Sequence, residues 1–249
     1  MAEIPQIHDR SAMKLNPRGR IFHSDVSAFV PTGAPGVIDL ASMAPVQPDG
    51  RRVDLVAMWE RAAPLLETRD NDAHSLQALG IAAALCAELP DADPVVTLPA
   101  ILLHDIGWSQ VPPHEVLGAI APGGGRPDLV RMHEVEGARL ARAILTDVGH
   151  DPASTDRIVE IIDGHDTRTH ALSIEDAIVK DADKTWRVTA HGLDVVMEWF
   201  GLDRAQALRL CASRVLDHLF TEPARALARG FIAVNSVAMW TQFTSLADD

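Results

Sequence analysis

The sequence predicts an all-α fold. From about Val53 onward, apolar residues recur at the three- and four-residue spacing of helix faces, and few stretches alternate with period two. Proline, glycine and capping residues cut that pattern into helix-length pieces. The chain has 249 residues, 47% of them hydrophobic, enough to bury a core as one large domain or one domain plus an appendage.

Residues 1–50 stand apart. Pro5, Pro17, Pro31, Pro35, Pro45 and Pro48, with Gly19, Gly33, Gly36 and Gly50, leave no helical period there. The stretch reads as an irregular N-terminal arm with room for one short strand, packing on the body or on a second subunit. Val53, Val56, Ala57, Leu65 and Leu66 then predict a helix broken at Pro64. Asn71–Leu89 is a helix with Asp72 placed to cap it and Leu76, Leu79, Ala83 and Leu85 on its apolar face. Pro94–Gly107 is almost wholly apolar and reads as a buried central helix. A short helix over Pro112–Ile120 leads into the glycine loop APGGGRP. Asp128–Asp147 is long and amphipathic and ends at Gly149. Pro152–Gly164 has proline in its first turn and glycine at its stop. Ser173 with Asp176 resembles a capping box and opens a helix to about Thr189. Asp203–Phe220 and Glu222–Leu246 are two more helices. Their apolar residues Leu208, Leu216, Phe220, Phe231, Val234 and Trp240 serve as extra core, with a homo-oligomer surface as the other use.

Charge narrows the partners. The 22 basic and 35 acidic residues give −13, which repels phosphate backbones at long range, so no nucleic-acid partner is expected. A small anionic substrate stays open, because a local metal outweighs the global field. Cys86 and Cys211 lie far apart in apolar helical patterns and read as buried thiols. Arg10, Lys14, Arg18 and Arg20 precede no long apolar run, so neither a signal peptide nor a membrane span is expected and a cytoplasmic protein is the default.

The chemistry lies in the histidines. His-Asp pairs occur at 8–9, 104–105, 150–151 and 165–166. The first falls in the arm and the third follows Gly149, and both read as solvated pairs. His104–Asp105 instead ends the most apolar helix, in AILLHDIG. An ionised aspartate there is costly without a partner, which a structural ion pair or a metal would supply. Adjacent helical residues point about 100° apart, so further ligands must come from other helices. His74, His133, His165 and either Asp181 or Asp183 are the candidates.

The order His74, His104–Asp105, distal Asp, in its apolar LLHDIG setting, resembles the HD-domain superfamily of metal-dependent phosphohydrolases. HEVEGARLARAIL, IIDGHD and DADK extend the likeness over roughly residues 55–200. The resemblance implies an HD-domain helical bundle over 51–249, with a C-terminal helical extension. It implies a first metal on His74, His104, Asp105 and the distal Asp. Asp183 fits the family's step better than Asp181, which is then either behind the ligands or a helix-surface partner of Lys184. His133 and His165 match the further ligands of binuclear members, with Asp105 bridging; the alternative is a surface His133 and a helix-ending His165. This nitrogen and carboxylate set suits one or two divalent transition-metal ions, Mn, Fe, Ni, Co or Zn.

The implied activity is hydrolysis of a nucleotide or other small phosphate ester by metal-activated water. Asp105 and Lys184 are the catalytic candidates. Arg126, Arg168 and Arg187 are further basic residues near the motifs, and Asp166 is placed to orient His165. The same six ligands also serve HD-type mixed-valent di-iron oxygenases, and an idle ligand-binding member is a third reading. Several features depart from relatives. Trp108 stands where some carry Lys, the GYP motif is absent, and the Glu soon after HD is missing, with Glu115 farther along and His114 a substitute only on geometry. The chain has no tyrosine to serve as ligand or gate. Trp108 reads as a packing residue, with stacking on a substrate base as its other use.

Overall fold

The computed structural model describes residues 13–15, 21–23, 38–68, 71–121 and 125–246, with side chains described only between residues 38 and 237. It divides into two units, residues 1–38 and 39–249. In the first, β1 (Met13–Leu15) pairs antiparallel with β2 (Ile21–His23), setting Met13 opposite His23 and Leu15 opposite Ile21. Two short strands thus stand where room for one was expected. The His8–Asp9 pair, the other residues of the arm before Ile38, the centre of the glycine loop and the side chain of Trp240 lie outside the described residues.

The second unit is helical. α1 (Leu40–Met43) forms where no helix was expected, because the Asp39 side chain accepts from the Ala41 and Ser42 amides. α2 (Leu55–Ala62), capped by Asp54, passes into a 3-10 turn over Ala63–Leu65, the break foreseen at Pro64. α3 (Asn71–Glu88) already begins at Asn71, so Asp72 sits inside the first turn. α4 (Pro94–Leu103) stops short of Gly107, and a 3-10 turn over Ile106–Gln110 follows. α5 (Pro113–Ile120), α6 (Pro127–Asp147) and α7 (Pro152–Ile162) come next.

α8 (Ile174–Trp186) is capped by Ser173, but the box does not close. The Asp176 carboxylate instead accepts from the Leu172 amide and from Arg168. α9 (Ala190–Phe200) occupies a stretch where the sequence reading places no helix; Thr189 caps its start and left-handed Gly201 its end. Its signal is masked by Gly192, a poor helix former. That residue is needed there because a Cβ would come 2.1 Å from the Trp186 carbonyl oxygen. α10 (Arg204–Val215) starts in a complete capping box of Asp203 and Gln206, and α11 (Glu222–Leu246) ends the described chain.

α4 is the axis of the core. Every residue from Val95 to Leu103 is buried, as expected of a helix apolar on all sides. α3, α7 and α8 pack around it, and α6 covers the turn that follows it. Among the described residues no helix is long and apolar enough to cross a membrane.

The turn after α4 touches α6 backbone to backbone. A Cβ on Gly107 would meet the His133 carbonyl oxygen at 1.9 Å and the Gly137 nitrogen at 2.5 Å. Glycine therefore sets how closely Asp105 approaches α6. Gly107→Ala is expected to lower stability by about 3 kcal/mol, the upper part of the overpacking range, measured by urea denaturation.

Candidate metal centre

Six side chains from five parts of the fold meet at the end of α4. His104 follows the last residue of α4 as its cap and keeps helical angles, and Asp105 leaves them at φ −100°, ψ 2°. That break lets neighbouring side chains face one centre, which a continuous helix would have prevented. His74 comes from α3, His133 from α6, His165 from the loop after α7, and Asp183 from α8.

His74 Nε2 lies 3.1 Å from His104 Nε2 and 3.4 Å from Asp183 Oδ1. Asp105 Oδ2 is 3.6 Å from both imidazoles. On the other side, His133 Nε2 lies 3.3 Å from His165 Nε2. Asp105 Oδ1 is 3.8 Å from the first of these and 3.5 Å from the second. The two oxygens of one carboxylate thus serve two groups of donors. His74, His104 and Asp183 form one set that could hold a metal ion, His104, Asp105 and His165 another, and His133, His165 and Asp166 a third.

The tautomers test the fit to a cation. His104 Nδ1 lies 2.7 Å from the Ile101 carbonyl oxygen and His165 Nδ1 lies 2.9 Å from that of Ile162. A carbonyl only accepts, so Nδ1 carries the hydrogen and Nε2 of each neutral ring presents a lone pair. Lone pairs and carboxylates converging in a buried pocket repel unless a positive charge sits among them. Without a metal, protons fill that role. Burial opposes charging of His165, but the Asp105 hydrogen bond and the Asp166 and Asp105 charges outweigh it and push the pKa up to about 9. His104 is raised in the same way, against burial, by Asp105 and Asp183. Their partners go the other way: burial and the neighbouring imidazole bring His74 and His133 down to about 4. Burial raises Asp183, yet Arg187 and the histidines hold it well below the usual carboxylate range.

Surrounding groups fix these donors. Trp108 stacks on His133 with ring centroids 3.9 Å apart, and its Nε1 donates to Asp105 Oδ1 at 3.1 Å. Trp108 therefore packs, as expected, and also orients two donors. Glu134, fully buried, accepts from the Asp166 and Thr167 amides at 2.9 and 2.7 Å and from Thr167 Oγ1 at 2.7 Å. From the opposite side, buried Lys180 donates to the carbonyls of Gly164, His165 and Arg168 at 2.9, 2.7 and 3.0 Å. The His165–Asp166 loop is thus gripped between an anion and a cation.

The other candidates fall elsewhere. Asp183, not Asp181, brings its carboxylate to the histidines; Asp181 accepts from the amides of Phe220 and Thr221 and from Thr221 Oγ1, tying down the start of α11. Lys184, one position past Asp183, acts on Asp181 and Lys180 and is not among the residues lining the cavity. Arg126 pairs with Glu115 and Asp128, and Arg168 with Asp176. Arg187 does reach the site, 3.8 Å from Asp183. Asp166 was expected behind His165, but its carboxylate faces the Nε2 atoms of His133 and His165 at 3.6 and 3.9 Å. His150 is buried rather than solvated, while Asp151 caps α7. Glu134, Lys180 and Arg214, which lines the cavity, carry no sequence signal that separates them from surface charges.

The HD domain family model matches residues 71–187. These residues form an HD domain. No curated protein matches the chain in sequence. Among solved structures, the chain is similar to a predicted HD superfamily hydrolase from an uncultured Thermotogales bacterium. The two share 21% identity over 77% of this chain and 91% of that one, with a TM-score of 0.51, a likeness of fold. It also aligns with a Lactobacillus plantarum protein at 17% identity, covering 78% and 97% of the two chains, with a TM-score of 0.49.

Two outcomes follow for the HD centre. Because His165 titrates at about 9, the metal-free protein carries a proton there at neutral pH, and metal binding must displace it. Calorimetry at pH 7 in buffers of different ionisation enthalpy should therefore show net proton release. Lys180→Met strips the donor from three buried carbonyls and should cost about 3 kcal/mol in urea denaturation.

Proposed function

We propose that this HD domain is a metal-dependent phosphohydrolase acting on a small phosphate ester. The observation that carries the reading is the position of Asp105, with one oxygen toward His74 and His104 and the other toward His133 and His165. In this reading His74, His104, Asp105 and Asp183 hold one divalent transition metal. His133, His165 and Asp105 hold a second, with Asp166 as a further oxygen donor. Such ions supply Lewis acidity and a bound water that ionises near neutral pH.

The remaining work falls to this chain's side chains. Asp105 links the two donor groups and is held in place by the Trp108 indole. The exposed guanidinium of Arg187 lines the cavity beside Asp183, where it can bind phosphate oxygens in a fork that an ammonium cannot offer. Arg187 therefore takes the part expected of Lys184. Glu134 and Lys180 keep His165 from swinging out of line, and the apolar core behind α4 excludes water from that side.

Purified protein is expected to contain about one to two transition-metal ions per chain, as in two-metal sites, by elemental analysis. His104→Ala and Asp105→Ala should remove most of the metal and leave a helical circular-dichroism spectrum. Their phosphatase turnover should fall more than the roughly 100-fold reached by disturbing groups behind the ligands. Turnover of phosphate esters with added Mn or Ni should be the same with and without oxygen. A strictly oxygen-dependent reaction with a di-iron spectrum would replace hydrolysis by oxygenation.

A further inference from the structure

A cavity of about 120 Å³, open to solvent, extends from the His/Asp cluster to α9 and α10. Three helices each give it one face. α8 and its cap contribute Asp183, Trp186 and Arg187, α9 contributes Val196, Trp199 and Phe200, and α10 contributes Cys211, Arg214 and Val215, with Leu210 beside them. All three sets follow the i, i+3, i+4 spacing of a single helix stripe. The last two helices lie beyond the matched residues 71–187.

The composition of this wall limits what fits it. The α9 stripe has no hydrogen-bonding side chain except the Trp199 indole, and α10 adds only Cys211 and Arg214. Trp186 and Trp199 lie 6.5 Å apart at 47°, and Phe200 stands edge-on to Trp199. A sugar placed there would lose water from several hydroxyls and regain few partners. An apolar body would lose nothing. At the polar end, Arg187 lies beside Asp183, while Arg214 has no ion-pair partner among the described residues. Two guanidinium groups facing the same cavity suit an anionic head.

We infer that α9 and α10 form a leaving-group subsite for an apolar alkyl or aryl body esterified to the phosphate, in preference to a sugar phosphate or nucleotide. The position of the phosphate rests on the phosphohydrolase reading; the apolar preference of the wall does not. Val196, Phe200 and Val215 act as specificity residues, and Arg214 as an anion contact at the cavity edge.

The test uses the metal-loaded full chain with ethyl, n-butyl, n-hexyl and 2-phenylethyl phosphates, whose alcohols are similar leaving groups, and glucose 6-phosphate. kcat/KM should rise about fourfold per added methylene along the alkyl series, the value of one buried CH₂. Glucose 6-phosphate should fall at or below ethyl phosphate. Phe200→Ala and Val196→Asn should each flatten the series, lowering the hexyl-to-ethyl ratio. Independently of turnover, hexylphosphonate should change the fluorescence of the cavity tryptophans and bind at least tenfold more tightly than ethylphosphonate. Equal affinity for the two phosphonates, or a series that favours glucose 6-phosphate, would overturn the subsite. Tight hexylphosphonate binding without hydrolysis of any ester would sustain the subsite and overturn the phosphohydrolase reading instead.

Discussion

Four imidazole nitrogens and the carboxylates of Asp105 and Asp183 converge where the most apolar helix of the chain ends. Everything nearby answers that concentration of lone pairs and negative charge. Backbone carbonyls fix the tautomers of His104 and His165, so their bare nitrogens cannot turn away. Left without protons or metal, a cluster of this kind would push itself apart in a medium with little water to screen it. Protons or metal ions must hold it together, and both compete for the same electron pairs. The fold supplies rigidity from outside: α4 behind, Trp108 on one flank, and the paired grip of Glu134 and Lys180 on the loop carrying His165.

That arrangement was legible in the sequence to an uneven degree. The all-helical class and the central helix follow from local pattern, because a run from Val95 to Leu103 has nowhere to go but the interior. The convergence of His74, His104, Asp105, His133, His165 and Asp183 follows from resemblance to a family; spacing alone brings no two distant residues together. The helix break at His104–Asp105 escaped the apolar pattern, which continues through Ile106 and Gly107 without marking where the backbone bond ladder ends. α9 escaped because close backbone packing demands the glycine that local propensity counts against it. Charged residues were the least legible. Lys184 adjoins Asp183 in sequence yet points about 100° away around the helix, whereas Arg187, one turn on, shares its face. Asp181 and Lys180 look like surface residues of an amphipathic helix and prove to be buried anchors.

A division of labour runs along the chain. The matched residues 71–187 supply the donor cluster and its supports. The helices that follow supply a wall with little polar character, joined to the cluster through α8. The donor cluster and most of the apolar wall beside it thus come from different stretches of sequence.

α8 is where the two meet, and its successive turns have unrelated duties. Asp176 and Lys180 face the His165 loop, Asp181 receives the start of α11, Asp183 enters the cluster, and Trp186 and Arg187 look into the cavity. Inserting or deleting one residue within this helix would rotate all later side chains by about 100° and trade these duties among them. Length variation should therefore be purged from α8 in descendants of this chain even where individual side chains drift.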